Sequence, residues 1–138
     1  MRRRTRAREF ALQILYQIDI TKDKLEDILD NFWNYQEEEE ADPAVKDFAL
    51  EIVKGVIKSL KAIDEKISRY ATNWQLKRIA VVERNILRLA SFELLFRSDI
   101  PAKVSINEAV DLAKRFSGEE AGKFVNGVLD KIKPDNKK

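Results

Sequence analysis

The chain contains no cysteine and no histidine. That removes disulfides, zinc fingers, Cys or His nucleophiles and every triad that needs an imidazole base. Only carboxylate, Lys or Tyr chemistry would remain to an enzyme. Glycine is scarce as well, at four among 138 residues, and neither a GxxxxGK nor a GxGxxG phosphate loop occurs. Uninterrupted apolar stretches reach four residues at most, far short of a bilayer span. After MRRRTRAREF, the polar residues Glu9, Gln13 and Gln17 interrupt the apolar segment that a signal peptide would require. The expectation is a soluble, cytoplasmic protein that makes no contact with a membrane. Paired carboxylates are present, but a Lys/Glu-rich helical surface produces them by chance. No catalytic residue, metal ligand or cofactor is expected.

What the chain does have is apolar material and charge. It is 44% hydrophobic, enough for a core of ordinary size, and its length fits one domain. Charged residues make up 36%, against a typical value of about 25%. The net charge of +2 hides a strong segregation. Residues 1–18 carry five Arg and one Glu, residues 19–42 carry ten acids against Lys22 and Lys24, and the remainder is basic again. Segregated charge gives separate electrostatic faces even when the sum is small. The Glu37–Glu40 run reads as a solvated helix end or loop. The arginines at positions 2, 3, 4, 6 and 8 have only Glu9 nearby to neutralise them. Two readings stay open for that cluster, a phosphate-binding arm or a solubilising tail.

Apolar spacing is helical almost throughout. Ala7, Phe10, Ala11, Ile14, Leu15 and Ile18 follow the i, i+3, i+4, i+7 template. Thr21 is the expected N-cap of a second helix that buries Leu25, Ile28, Leu29 and Phe32. Asp42-Pro43 supplies a cap followed by proline at the first helical position. One stripe then runs from Val45 to Tyr70, with a break expected near Ser59 to Ala62 and an end at Thr72-Asn73. Residues 79–97 are apolar on most of their circumference, which predicts a central helix packed on several sides. Asp99-Ile100-Pro101 breaks it. Ser105-Ile106-Asn107-Glu108 reads as a capping box opening the next helix, which Ser117-Gly118 closes. A last helix spans about Glu119 to Ile132, before Pro134. No alternating strand pattern competes, so the fold class is all-α, about seven helices in two small bundles, roughly residues 1–70 and 71–134, sharing the central helix.

On the first helix Arg2, Arg6, Glu9, Gln13 and Tyr16 fall three or four apart and line one polar face. Cations for phosphates, an amide for base edges and an aromatic ring are the groups used on single-stranded RNA. Tyr16 reads equally as a rim residue over the core. Near the C-terminus, Lys114, Arg115 and Lys123 are basic, and Gly122 and Gly127 flank Phe124. Glycine inside a helix costs roughly 1 kcal/mol against alanine, a cost that often marks close approach of a helix or a ligand. Phe124 is either core or partly exposed.

Four segments together resemble one family. RAREFALQILYQ (6–17), RNILRLASFELLFRSDIP (84–101), VSINEAVDLAKRF (104–116) and KFVNGVLDKI (123–132) are similar to the NusB family of transcription antitermination factors. The resemblance covers residues 2 to about 132. It implies an all-helical fold of two bundles and a role as an RNA-binding protein, not an enzyme. The expected partners are the boxA element of nascent ribosomal RNA and NusE, a ribosomal small-subunit protein, within a complex that helps RNA polymerase resist termination. Carried over residue by residue, it implies RNA contacts at Arg2, Arg3, Arg4, Arg6 and Arg8, and at Phe124 with Glu120 just before it. It implies that Tyr16 and Glu83 face NusE. Gln13 and Lys123 join the RNA set from their chemistry. Thr5, which interrupts the arginines, Gln75 after Trp74, and the Glu37–Glu40 block depart from the family pattern. Two other classes remain: a detached RNA-binding domain of the ribosomal-RNA cytosine methyltransferase type, and a helical adaptor that binds only protein.

Overall fold

The computed structural model describes residues 2–33, 42–71 and 76–133. Among them are seven α-helices, one 3₁₀ turn and no strand. The chain divides into two compact units, residues 1–54 and 55–138. The division falls inside the third helix, between Lys54 and Gly55, earlier in the chain than the border expected near residue 70.

The first unit holds α1 (Arg3–Thr21), α2 (Leu25–Phe32) and most of α3 (Pro43–Lys58). The predicted stripe of α1 is its core face, with Ala7, Phe10, Ala11, Ile14 and Leu15 buried. Phe10, Phe32 and Trp33 meet edge to face, with ring centroids 4.9–5.9 Å apart. Such pairs contribute about 0.5–1.5 kcal/mol beyond the area they bury. Asp42 caps α3 as its sequence predicts, accepting the Ala44 N–H on Oδ1 at 2.9 Å. Thr21 does not cap α2. It is the last residue of α1, its hydroxyl donating to the Gln17 carbonyl at 2.9 Å and accepting the Asp23 N–H at 3.1 Å. The hydroxyl is used to turn the chain, and α2 starts four residues later without a side-chain cap.

In the second unit are the end of α3, then α4 (Leu60–Tyr70), the 3₁₀ turn Leu76–Arg78, α5 (Val81–Phe96), α6 (Ala102–Ser117) and α7 (Glu119–Ile132). The expected break in the long stripe lies at Ser59. Helix α5 packs on α4, α6 and α7, as its all-round apolarity requires. Its ring at Phe92 presses on Gly55 so closely that a Cβ there would lie 2.2 Å from ring carbons. Only glycine fits at that point of α3.

The capping box at Ser105 is overturned. Helix α6 begins at Ala102, one turn earlier, and Ser105 is buried inside it. Its hydroxyl donates to Glu93 Oε1 of α5 at 2.6 Å, and Glu93 is fully buried. The Ser-x-x-Glu pattern is real, but the tertiary demand of a buried carboxylate takes the hydroxyl. Gly118 separates α6 from α7 at φ +105°, a conformation almost confined to glycine. The Glu37–Glu40 run, Thr72-Asn73, Trp74, Gln75 and Pro134 lie outside the described residues.

Ser105→Ala should lower the unfolding free energy by about 1–3 kcal/mol in a urea melt, by taking a donor from the buried Glu93 carboxylate. Asn107→Ala, on the exposed side of the same turn, should change it by less than about 0.5 kcal/mol.

Candidate nucleic-acid interface

The arginine cluster is built on the first two turns of α1, where no acidic residue stands in the first turn and the backbone N–H groups add positive potential. The structure sorts its members by environment. Arg2, Arg3 and Arg4 are exposed, Arg6 is half-buried, and Arg8 is 3% exposed. Arg4 and Arg8 both set their guanidinium groups over the Phe48 ring of α3, at 4.3 and 5.4 Å from its centroid. Arg6 lies 4.6 Å from the Phe10 centroid and pairs with Glu9. Arg3 pairs through Nε with Asp42 Oδ2 at 3.1 Å.

Two sequence expectations change here. Arg8 leaves the surface cluster, because its position in the helical repeat turns it onto Phe48 and into the core. Glu9, placed on the polar face by spacing, is 1% exposed and serves as the buried counter-charge of Arg6. Gln13 and Tyr16 remain exposed along α1, Tyr16 at 41%.

A second feature lies wholly in the second unit. An open pocket of about 320 Å³ is lined by Arg78, Ile79, Ala80, Glu83, Glu120, Ala121 and Phe124. It lies within the usual volume range of ligand pockets. Phe124 is half-buried in this wall, so it is neither a core ring nor a free one. Val125, its neighbour in sequence, is the one that enters the core. Glu83 accepts a hydrogen bond from Ser117 Oγ at 3.2 Å. The neighbouring arginines of α5 are engaged elsewhere. Arg88 makes two bonds to Asp64, at 2.8 and 3.0 Å, and Arg84 turns to the carbonyls of Leu76 and Ile79. Lys123 and Glu120 form an exposed pair at 3.5 Å. Two carboxylates and an aromatic face, with the Arg78 cation at the same wall, suit a planar group that brings N–H donors.

The structure thus joins Glu83, expected at a protein partner, to Glu120 and Phe124, expected at RNA. Arg78, Ile79, Ala80 and Ala121 complete the pocket, and Asp42 and Phe48 complete the arginine arm, none of them expected as site residues. Their only signals in the sequence are the adjacent cations Lys77-Arg78 and the Asp-Pro start of α3, and both read more simply as local structure. The two glycines divide. A Cβ at Gly122 would meet the Lys114 side chain at 2.8 Å, whereas one at Gly127 would meet nothing within 4 Å. Packing of α6 on α7 explains the first, and nothing in the structure explains the second. No group of three or more acidic, His or Cys side chains suited to a metal ion occurs among the described residues, and no helix there is long and apolar enough to cross a membrane.

The NusB family model matches residues 5–134. The transcription antitermination protein NusB of Anaeromyxobacter dehalogenans strain 2CP-1 is 53% identical over 130 residues, which cover 94% of this chain and 89% of that protein. The one from Myxococcus xanthus is 47% identical over 131 residues, covering 94% and 93%. Among solved structures, T. maritima NusB is similar with a TM-score of 0.83 at 43% identity, over 94% of this chain and 89% of that one. A crystal structure of antitermination factors NusB and NusE in complex with dsRNA is similar with a TM-score of 0.80 at 30% identity, over 96% of each chain.

Proposed function

The chain belongs to the NusB family of transcription antitermination proteins, and from that premise we propose that it binds the boxA element of nascent ribosomal RNA in the cytoplasm as a heterodimer with NusE, helping RNA polymerase to resist termination. The observation that carries the reading is the exposed arginine arm of α1, on a chain similar along nearly its whole length to a NusB solved with NusE and RNA. The arm supplies phosphate contacts through Arg2, Arg3, Arg4 and Arg6. These fix register on the strand and carry no sequence information.

Base contact falls to Phe124, whose ring forms part of an open pocket wall beside Glu120 and Arg78. An unstacked base covers the ring, and the Glu120 carboxylate accepts from its amino edge. Gln13 offers an amide, and Lys123 a cation, at the margin. NusE docks on the Tyr16 and Glu83 surfaces, an exposed aromatic ring and a carboxylate held by Ser117. Interfaces of this kind take much of their energy from a few such residues. The named relatives are antitermination proteins matched nearly end to end, so no observation favours the methyltransferase-fragment or pure adaptor readings.

Replacing Arg2, Arg3 and Arg4 together by Gln should weaken binding to boxA RNA and to unrelated single strands alike. The slope of log K against log salt should become shallower by roughly 0.7 for each arginine–phosphate pair removed. An unchanged slope in a titration from low to high salt would make the arm a solubilising tail. Phe124→Ala should reduce RNA affinity by about 1–3 kcal/mol, and lower stability by less than the roughly 3–5 kcal/mol of a core ring, read by gel shift and by melting. Glu83→Lys should cost the NusE heterodimer at least about 2 kcal/mol in calorimetric titration while the fold melts normally. Full NusE affinity in that variant would take Glu83 out of the partner surface.

A further inference from the structure

Resting on the RNA reading above, we propose that Asp42 is an internal counter-ion of the arginine arm, one that an RNA phosphate must displace from Arg3, so that this carboxylate sets an upper limit on the arm's affinity. The carboxylate is held at both ends. Its Oδ1 accepts the Ala44 N–H at 2.9 Å and its Oδ2 meets Arg3 Nε at 3.1 Å. The Asp42 carbonyl accepts from the Val45 and Lys46 N–H groups at 3.0 and 3.1 Å, which fixes the backbone beneath it. A carboxylate already ordered by its capping role loses little further entropy on pairing with a cation.

Arg3 is otherwise well placed for RNA, with its side chain 74% exposed. Asp42 offers it an oxygen anion with the same charge and hydrogen-bonding capacity that a phosphate oxygen would bring. The two therefore exclude each other at the guanidinium Nε. A phosphate that approaches Arg3 also meets the negative charge of Asp42 behind it. Arg4 is not limited in this way, since it rests on the uncharged Phe48 ring. Arg6 has its own carboxylate, Glu9, but that one is buried beneath the helix. Asp42, by contrast, faces water, at 29% side-chain exposure.

The capping role makes the test clean, because Asn caps a helix about as well as Asp and carries no charge. Asp42→Asn should leave the melting temperature near that of the parent. It should bind a synthetic boxA RNA and a uridine homopolymer more tightly by roughly 1.5- to 5-fold at low salt, the range spanned by exposed ion pairs. The slope of log K against log salt should steepen by up to about 0.7. Asp42→Ser, a second neutral cap, should reproduce the gain. In an Arg3→Gln background the gain should vanish, since the pair acts as a unit. Equal affinity of Asp42→Asn and parent, or a gain that persists without Arg3, would overturn the counter-ion. A parent chain that binds neither RNA would instead defeat the RNA reading on which it rests.

Discussion

Helix α5 imposes the constraint on which the second unit depends. A helix enclosed by α4, α6 and α7 must find protein partners for the polar groups it carries inward. It does so for Asn85 and Glu93, while the fully buried Ser91 hydroxyl meets no protein partner among the described residues. Asn85 donates to the Val81 carbonyl one turn back, at 2.9 Å. Glu93 accepts a hydrogen bond from Ser105 of α6 at 2.6 Å. That bond ties α6 to α5 inside the core, and α6 begins at Ala102, early enough to carry Ser105 to it. Phe92 adds a steric counterpart against Gly55.

In the first unit the organising interaction is of a different kind. Arginines are costly to hold still, since each long side chain loses rotamer entropy when ordered. Here aromatic rings do the ordering. Phe48 lies under the guanidinium groups of Arg4 and Arg8, and Phe10 under that of Arg6, contacts that limit how far the cations wander. Arginine suits this role better than lysine because its planar group stacks and still presents N–H edges outward. The same rings belong to the hydrophobic core, so the placement of the charged arm follows directly from core packing.

The helical class, the start of α3 at Pro43, the break at Ser59, the interruption after Phe96 and the junction at Gly118 are all legible in the sequence. Each rests on local chemistry: a 3.6-residue period, a proline, a cap or a glycine. The departures have two causes. Ser105 and Arg8 are given to tertiary partners, Glu93 of α5 and Phe48 of α3, whereas Thr21 keeps a local role at the end of α1 and Glu9 pairs locally with Arg6 on the buried side of the helix. A Ser-x-x-Glu pattern cannot reveal that a buried carboxylate waits on another helix. A helical wheel likewise cannot fix the width of the buried stripe, which decides whether positions 8 and 9 face water. The pocket around Phe124 is half legible, since its aromatic and acidic members carry signals and its small apolar members carry none.

Gly118 serves two helices at once. Its N–H closes α6 on the carbonyls of Ala113 and Lys114, and its carbonyl opens α7 by accepting the Gly122 N–H. The end of α6 and the start of α7 therefore meet at one residue, with no linker between them. Ser117 and Glu120 lie on its two sides, so the junction sets the hydroxyl that bonds Glu83 next to one wall of the Phe124 pocket.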